Sequence, residues 1–211
     1  MADAPQQLDR IEVTGTRAVT TRVVLRDPAP GGGKIEFQVA PAVSETAQAQ
    51  YRDLQPSQSP GGFSVYSNSS LRTFSISDAK LLARTQTEAI DKLRIQNLLR
   101  GWTKPYFGKG NAQNTSGLPP DVLLLSAYGA GNIVRVPVVL LNYTIDWPTD
   151  TDYIYLSRDQ SINSDDPPML EASSVPIVSS VQLSLQEVRS MTELNNFDLA
   201  KYKQGLLTEW K

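Results

Sequence analysis

The sequence predicts a mainly β fold of the α+β class, with antiparallel strands flanked by one α-helix, extra strands near the N-terminus and a short helix near the C-terminus. Three observations carry this reading. Pro119 to Tyr155 reads as two long strands joined by a glycine turn, Gly129-Ala130-Gly131, and ended by a polar stop, Thr149-Asp150-Thr151-Asp152. Lys34 to Val39 and Val175 to Val188 alternate between apolar and polar side chains, the period of a strand with one face in a core. Thr85 to about Gly101 has the start signal and the length of a helix.

Taken in order, Asp9 to Pro41 contains three strand-like runs, IEVTG, VTTRVVLRD and KIEFQVAP. The last two are separated by Pro28-Ala29-Pro30-Gly31-Gly32-Gly33, a hairpin tip by composition. Residues 42–62 are rich in Ser, Gln, Ala, Pro and Gly, and read as a linker or long loop with little to bury. Arg72 to Ser77 alternates, and Ala79 to Ala83 either continues that strand or bends it. Thr85-Gln86-Thr87-Glu88 reads as a capping box, the hydroxyl accepting from the Glu88 N–H and the carboxylate reaching back.

The helix it opens has apolar residues on two sides. Ala89, Ile90 and Leu93 share one face, while Ile95, Leu98, Leu99 and Trp102 lie nearly opposite. Such a helix is sandwiched, either under its own loops or against a neighbouring subunit. Residues 103–118 form a polar loop, and 121–128 a strand. Residues 133–147 are apolar or β-branched on both faces in the middle, interrupted by Arg135 and Pro137, so a strand covered on both sides is expected. Ser157 to Ser174 is a loop, Val175 to Val188 one long strand with a core face and a wetter face, and Asn196 to Leu206 a short helix. This divides the chain into N-terminal strands and linker (1–62), a β domain (63–188) and a helical tail (189–211).

Composition narrows the chemistry. The 211 residues suffice for a full core, and 40% apolar with 20% charged residues indicates a globular chain. No window reaches the run of about 18 apolar residues that a spanning helix requires, and MADAPQQLDRIEV lacks the basic and hydrophobic regions of a secretion signal. Twenty Lys and Arg stand against 22 Asp and Glu with no cationic cluster along the sequence, which disfavours binding to a phosphate backbone but not surrounding one. There is no His and no Cys, so imidazole-based catalysis, thiol nucleophiles, thiolate zinc sites and disulfides are excluded. No cofactor, metal site or catalytic residue is expected.

Carboxylates are the remaining route to acid–base work. Asp146, Asp150 and Asp152 cluster around Trp147-Pro148, which a glycosidase could use with the indole stacking on a sugar. A charged strand end and turn explains the same residues better. Asp165-Asp166 lies in a Pro-rich loop and reads as solvated surface. Gly31-Gly32-Gly33, Gly108-Lys109-Gly110 and Gly129-Ala130-Gly131 lack the helix that a phosphate loop needs and read as turns. Tyr51, Phe63, Tyr66, Tyr106 and Phe107 could form a ligand platform, but no spacing ties them together, and packing is the better reading.

The succession FSISDAKLLAR, TEAIDKLRIQNLLRGWTKPYFG, PPDVLLLSAYG, NIVRVPVVLLNYTIDWPTDTDYI and VPIVSSVQLSLQEVRS resembles the tube-like baseplate proteins of contractile-tailed bacteriophages that initiate the tail tube. It covers roughly residues 63–188. The resemblance implies an antiparallel barrel or sandwich flanked by one helix, and a ring of six copies between the baseplate hub below and the tail tube or a second initiator above. Such a ring is assembled in the host cytoplasm, becomes part of the virion, and lets DNA pass without specific binding and without a membrane. Ile90, Leu93, Ile95, Leu98, Leu99 and Trp102 would then meet a neighbour, Ser180, Gln182, Ser184 and Gln186 would face the lumen, and the loops at 42–62 and 103–118 would contact the next ring or the baseplate. The major tube protein of the same fold, a glycan- or peptidoglycan-binding tail module and a carboxylate hydrolase are the alternatives.

Overall fold

The computed structural model describes residues 22–107, 117–129, 132–156 and 173–205. The expected strand IEVTG, the Gly108-Lys109-Gly110 tip and Asp165-Asp166 lie outside the described residues. In chain order the elements are β1 (Val24–Arg26), β2 (Lys34–Glu36), β3 (Ala42–Thr46), β4 (Ala49–Leu54), β5 (Phe63–Ser69), β6 (Thr73–Leu82), α1 (Gln86–Gly101), β7 (Leu123–Ala127), β8 (Ile133–Asp146), β9 (Tyr153–Leu156), β10 (Ser173–Pro176), β11 (Val178–Glu187), α2 (Met191–Asn195) and α3 (Leu199–Lys203). The fold is mainly β, with antiparallel strands and few helices.

Seven strands form one sheet in the order β2-β1-β7-β8-β11-β6-β3. Every pairing is antiparallel, so short connections suffice for most neighbours. The sheet is open, with β2 and β3 as its edges, and the expected closed barrel is not formed by this chain. The N-terminal strands β1, β2 and β3 belong to this sheet. The β1–β2 tip closes through Asp27 N–H to Gly33 O at 2.9 Å and Gly32 N–H to Ala29 O at 2.8 Å. A Cβ on Gly33 would stand 2.4 Å from Leu98 Cδ2, so glycine is what lets the tip touch α1.

One sheet face is the core. Leu25, Ile35, Phe74, Ile76, Leu123, Leu125, Val136, Val138, Val181 and Leu185 are buried there, and Leu99 and Trp102 of the α1 end close over them. Each fully buried Leu, Ile or Phe contributes about 1.5–3 kcal/mol. The Thr85 hydroxyl accepts from Glu88 N–H at 3.2 Å, whereas the Glu88 carboxylate takes the N–H of Arg84 at 2.6 Å rather than that of Thr85 itself. Thr85→Ala is expected to lower the unfolding free energy by about 1 kcal/mol, read as a drop in urea midpoint at unchanged slope.

Several expectations are corrected. Residues 42–54 are strands, not a linker. β3 adds to the sheet edge at β6, and β4 pairs with β5 as a separate two-stranded ribbon whose residues are all exposed. Main-chain pairing suffices for this, which is why composition failed to signal it. β8 is covered on one face only: Ile133, Val136, Val138 and Leu140 are buried, while Leu141 is displaced by a register shift and is half exposed.

The long strand from Val175 is two strands, β10 and β11, broken at Ile177. Its N–H donates to Asp152 O and its carbonyl accepts from Ala83 N–H, both at 2.8 Å. Pro176 brings no N–H to a ladder, and β10 pairs instead with β9 in a second small sheet. The tail forms two short helices rather than one from Asn196. Ser190 and Glu193 form a capping box for α2, and the Asp198 carboxylate accepts from Ala200 and Lys201 N–H to restart the chain as α3.

Candidate functional site

Helix α1 lies between two layers of its own chain. Ile95, Leu98, Leu99 and Trp102 pack on the main core, while Ala89, Ile90 and Leu93 meet Ala83, Ile154, Leu156 and Val175 of the small sheet. The two apolar faces are therefore filled within the subunit. Leu99 and Trp102, at 1% and 4% exposure, are not available to a neighbouring copy.

Between those layers sits a lysine. Lys92 is 1% exposed, and its Nζ donates to Pro176 O at 2.6 Å. Burial pushes its pKa down to about 8. Two further buried polar atoms, Gln96 Nε2 and Ser179 Oγ, have no hydrogen-bond partner.

A second buried polar group ties the end of β11 to β6. Glu187 accepts two bonds from Arg72, Nε at 2.9 Å and Nη2 at 2.7 Å, and also binds Arg189. Arg72 reaches Glu45 on β3 at 3.1 Å and stacks over the Phe74 ring at 5.4 Å. Burial acts to raise the Glu187 pKa, but the Arg72 hydrogen bonds and the two guanidinium charges outweigh it and hold the carboxyl below its ordinary value. No signal in the sequence marked these residues, because their partners are up to 115 positions apart.

The wetter face of β11 forms a surface with its neighbours. Register places Ser184 beside Ser75 and Asn142, Gln186 beside Thr73 and Val139, and Gln182 beside Thr144. The strip continues to β3, where Ser44 and Thr46 oppose Ser75 and Thr73. Ser180, Gln182, Ser184 and Gln186 are half-buried to exposed on this outer face, away from α1. Its charges stand at the end of the strip, where Lys80 pairs with Asp78 at 2.6 Å and Asp146 accepts from Ser180 Oγ at 3.5 Å.

Beyond β3 and β6, the β4–β5 ribbon projects as a continuation of their pairing through Ser70 N–H to Gln48 O at 2.8 Å. Tyr51 and Tyr66 meet edge to face with centroids 5.7 Å apart, 63% and 54% exposed. By register, Leu54, Phe63, Val65 and Arg52 occupy its other side. Of the aromatic residues singled out from the sequence, these three on the ribbon are brought together in pairs or back to back. Tyr106 instead bonds Asp121, which pushes its phenol up to about 12, and Phe107 is exposed elsewhere. Asp146 lies at the end of β8, with Asp150 and Asp152 in the turn that follows and a half-exposed Trp147 between. Among the described residues, no group of three or more acids could hold a metal ion.

No family model matches the chain, and no curated protein matches it in sequence.

Proposed function

We propose that this chain is a structural subunit of a contractile phage tail. It forms a ring, six-fold by the resemblance, between the baseplate hub and the tail tube, templates tube growth and lets DNA pass through its lumen. Its role has no catalytic step. The observation that supports this best is the open seven-stranded sheet, with an apolar face under α1, a Ser/Thr/Asn/Gln face outside and two unpaired edges.

An open sheet leaves main-chain donors and acceptors at β2 and β3, and joining copies edge to edge satisfies them in a closed barrel that no single copy makes. The outer face would then line the channel, where uncharged hydroxyls and amides offer a polyanion little to bind. The β4–β5 ribbon supports the same reading. An isolated two-stranded hairpin is marginal in water, and this one exposes Tyr51, Leu54, Phe63, Val65 and Tyr66. Contact with a neighbouring ring or the hub would bury them, contributing about 25 cal/mol per Å² of apolar area. Lasting interfaces of this sort bury more than ~2,000 Å². The major tube subunit of the same fold would present the same sheet, and differs in stacking on identical rings.

Native mass spectrometry of the protein alone and mixed with hub components tests the reading. A six-fold species in either sample supports it, and a stable monomer in both defeats it. The Tyr51→Ser, Phe63→Ser, Val65→Ser triple variant is expected to stay within about 0.5 kcal/mol per site of the parent stability, since these side chains are exposed. It is expected to lose ring or hub association. The paired tyrosines also suit a sugar ring, so saturable glycan binding by the monomer, abolished in this variant, would favour the tail-module alternative instead.

A further inference from the structure

One corner of the outer sheet face departs from the uncharged strip. Where β1, β7 and β8 meet, a cleft of about 440 Å³ is lined by three cations, Arg26, Lys34 and Arg135, around Val24, Leu124 and Ser126. Lys34 is already engaged, its Nζ 2.6 Å from Glu36, a carboxylate that Arg22 also pairs. Arg26 and Arg135 have no acid within ion-pair distance among the described residues. Asp27, next to Arg26, is buried and accepts the Ala29 N–H at 2.8 Å.

Arg135 is held unusually. Its φ is +47°, in a β8 segment where the register with β7 shifts between Leu125 and Ala127. Its N–H donates to Ser126 Oγ at 3.1 Å. The left-handed region suits glycine and strains any residue with a Cβ, and such strain concentrates at functional positions. A strained arginine aimed into a cleft beside a second free guanidinium is a costly arrangement for a surface with no ligand.

We infer that this cleft binds a phosphate group, presented by a phosphodiester backbone or by a small phosphorylated molecule. Two guanidiniums and a hydroxyl reach one space from different strands. A phosphate offers acceptor oxygens in several directions and a charge near −2, whereas a carboxylate satisfies a single planar fork. The inference rests on the cleft alone and does not require the ring.

Isothermal titration of the full chain with pyrophosphate, and separately with a short DNA duplex, tests it. Saturable pyrophosphate binding is expected, weakened about tenfold or more by either Arg26→Ala or Arg135→Gly and unaffected by Lys80→Ala at the far end of the same face. Arg135→Gly is expected to hold or raise the melting temperature while losing the ligand, so loss of binding there is not loss of fold. Binding of both probes, with duplex affinity falling steeply with salt, identifies a phosphodiester as the source; pyrophosphate alone identifies a small molecule. Absence of saturable binding of either, or binding indifferent to both arginines, overturns the inference. Citrate competing as well as pyrophosphate overturns the choice of phosphate. Self-association that disappears in both variants, without phosphate binding, assigns the cleft to carboxylates of a second copy and likewise overturns it.

Discussion

Glu187→Gln is expected to lower the unfolding free energy by about 3–5 kcal/mol, the largest single effect foreseen for this chain. Glu187 is 4% exposed and is the shared partner of Arg72 and Arg189, whose side chains are 13% and 1% exposed. The amide can accept from one guanidinium, but it leaves two positive charges together at the junction of β6, β11 and the tail. Removing one partner of a buried ion pair costs more than removing the whole group, because the survivor stays desolvated. Replacing Arg72, Glu187 and Arg189 together by apolar residues of similar size is therefore expected to cost far less than Glu187→Gln. Urea denaturation checks both. A single variant within 0.5 kcal/mol of the parent would show that the cluster is not formed.

The pH dependence has a definite sign. The folded carboxyl of Glu187 titrates below its unfolded value, so its contribution is present above pH 4.5 and is lost as pH falls beneath it. Acid unfolding is expected to begin there in the parent, and the Gln variant is expected to lack that part of the slope.

Lys92 gives the second large effect, with the opposite direction. Its folded pKa of about 8 lies below the ordinary 10.5, so between those values the unfolded chain binds more protons and stability rises with pH. A shift of this size corresponds to roughly 3 kcal/mol across that window. Lys92→Met keeps the length, removes the buried charge and forfeits the bond to Pro176 O. It is expected to be more stable than the parent at pH 7 by about 1–2 kcal/mol, and to converge with it near pH 10. Urea midpoints of both proteins, measured from pH 7 to 10.5, read this directly. Parallel curves would mean that Lys92 reaches solvent in the folded state.

The periodic elements were legible because their signals are local. Thr85 and Glu88 announce the start of α1, alternation announces β6 and β11, and Pro28 to Gly33 announces a turn. The helix was also legible as sandwiched, since its two apolar faces need two partners. Which partners they are was not legible. That depended on the break at Ile177, which sends β10 back to pair with β9 and places Val175 and Leu156 against Ile90 and Leu93. Residues 42–54 misled because β3 and β4 are held by backbone bonds to β6 and β5, with side chains that stay in water.

The sequence by itself determined the β class, the lone long helix, the absence of imidazole and thiol chemistry, and the uncharged face of β11, all of which follow from residue type and short-range period. Tertiary structure alone decided that the sheet stays open, that Arg72, Glu187 and Arg189 share one buried site, and that Arg26 and Arg135 meet in one cleft. The physical reason is the same in each case. Strand order brings together residues more than a hundred positions apart, and no local propensity encodes the register in which distant strands pair.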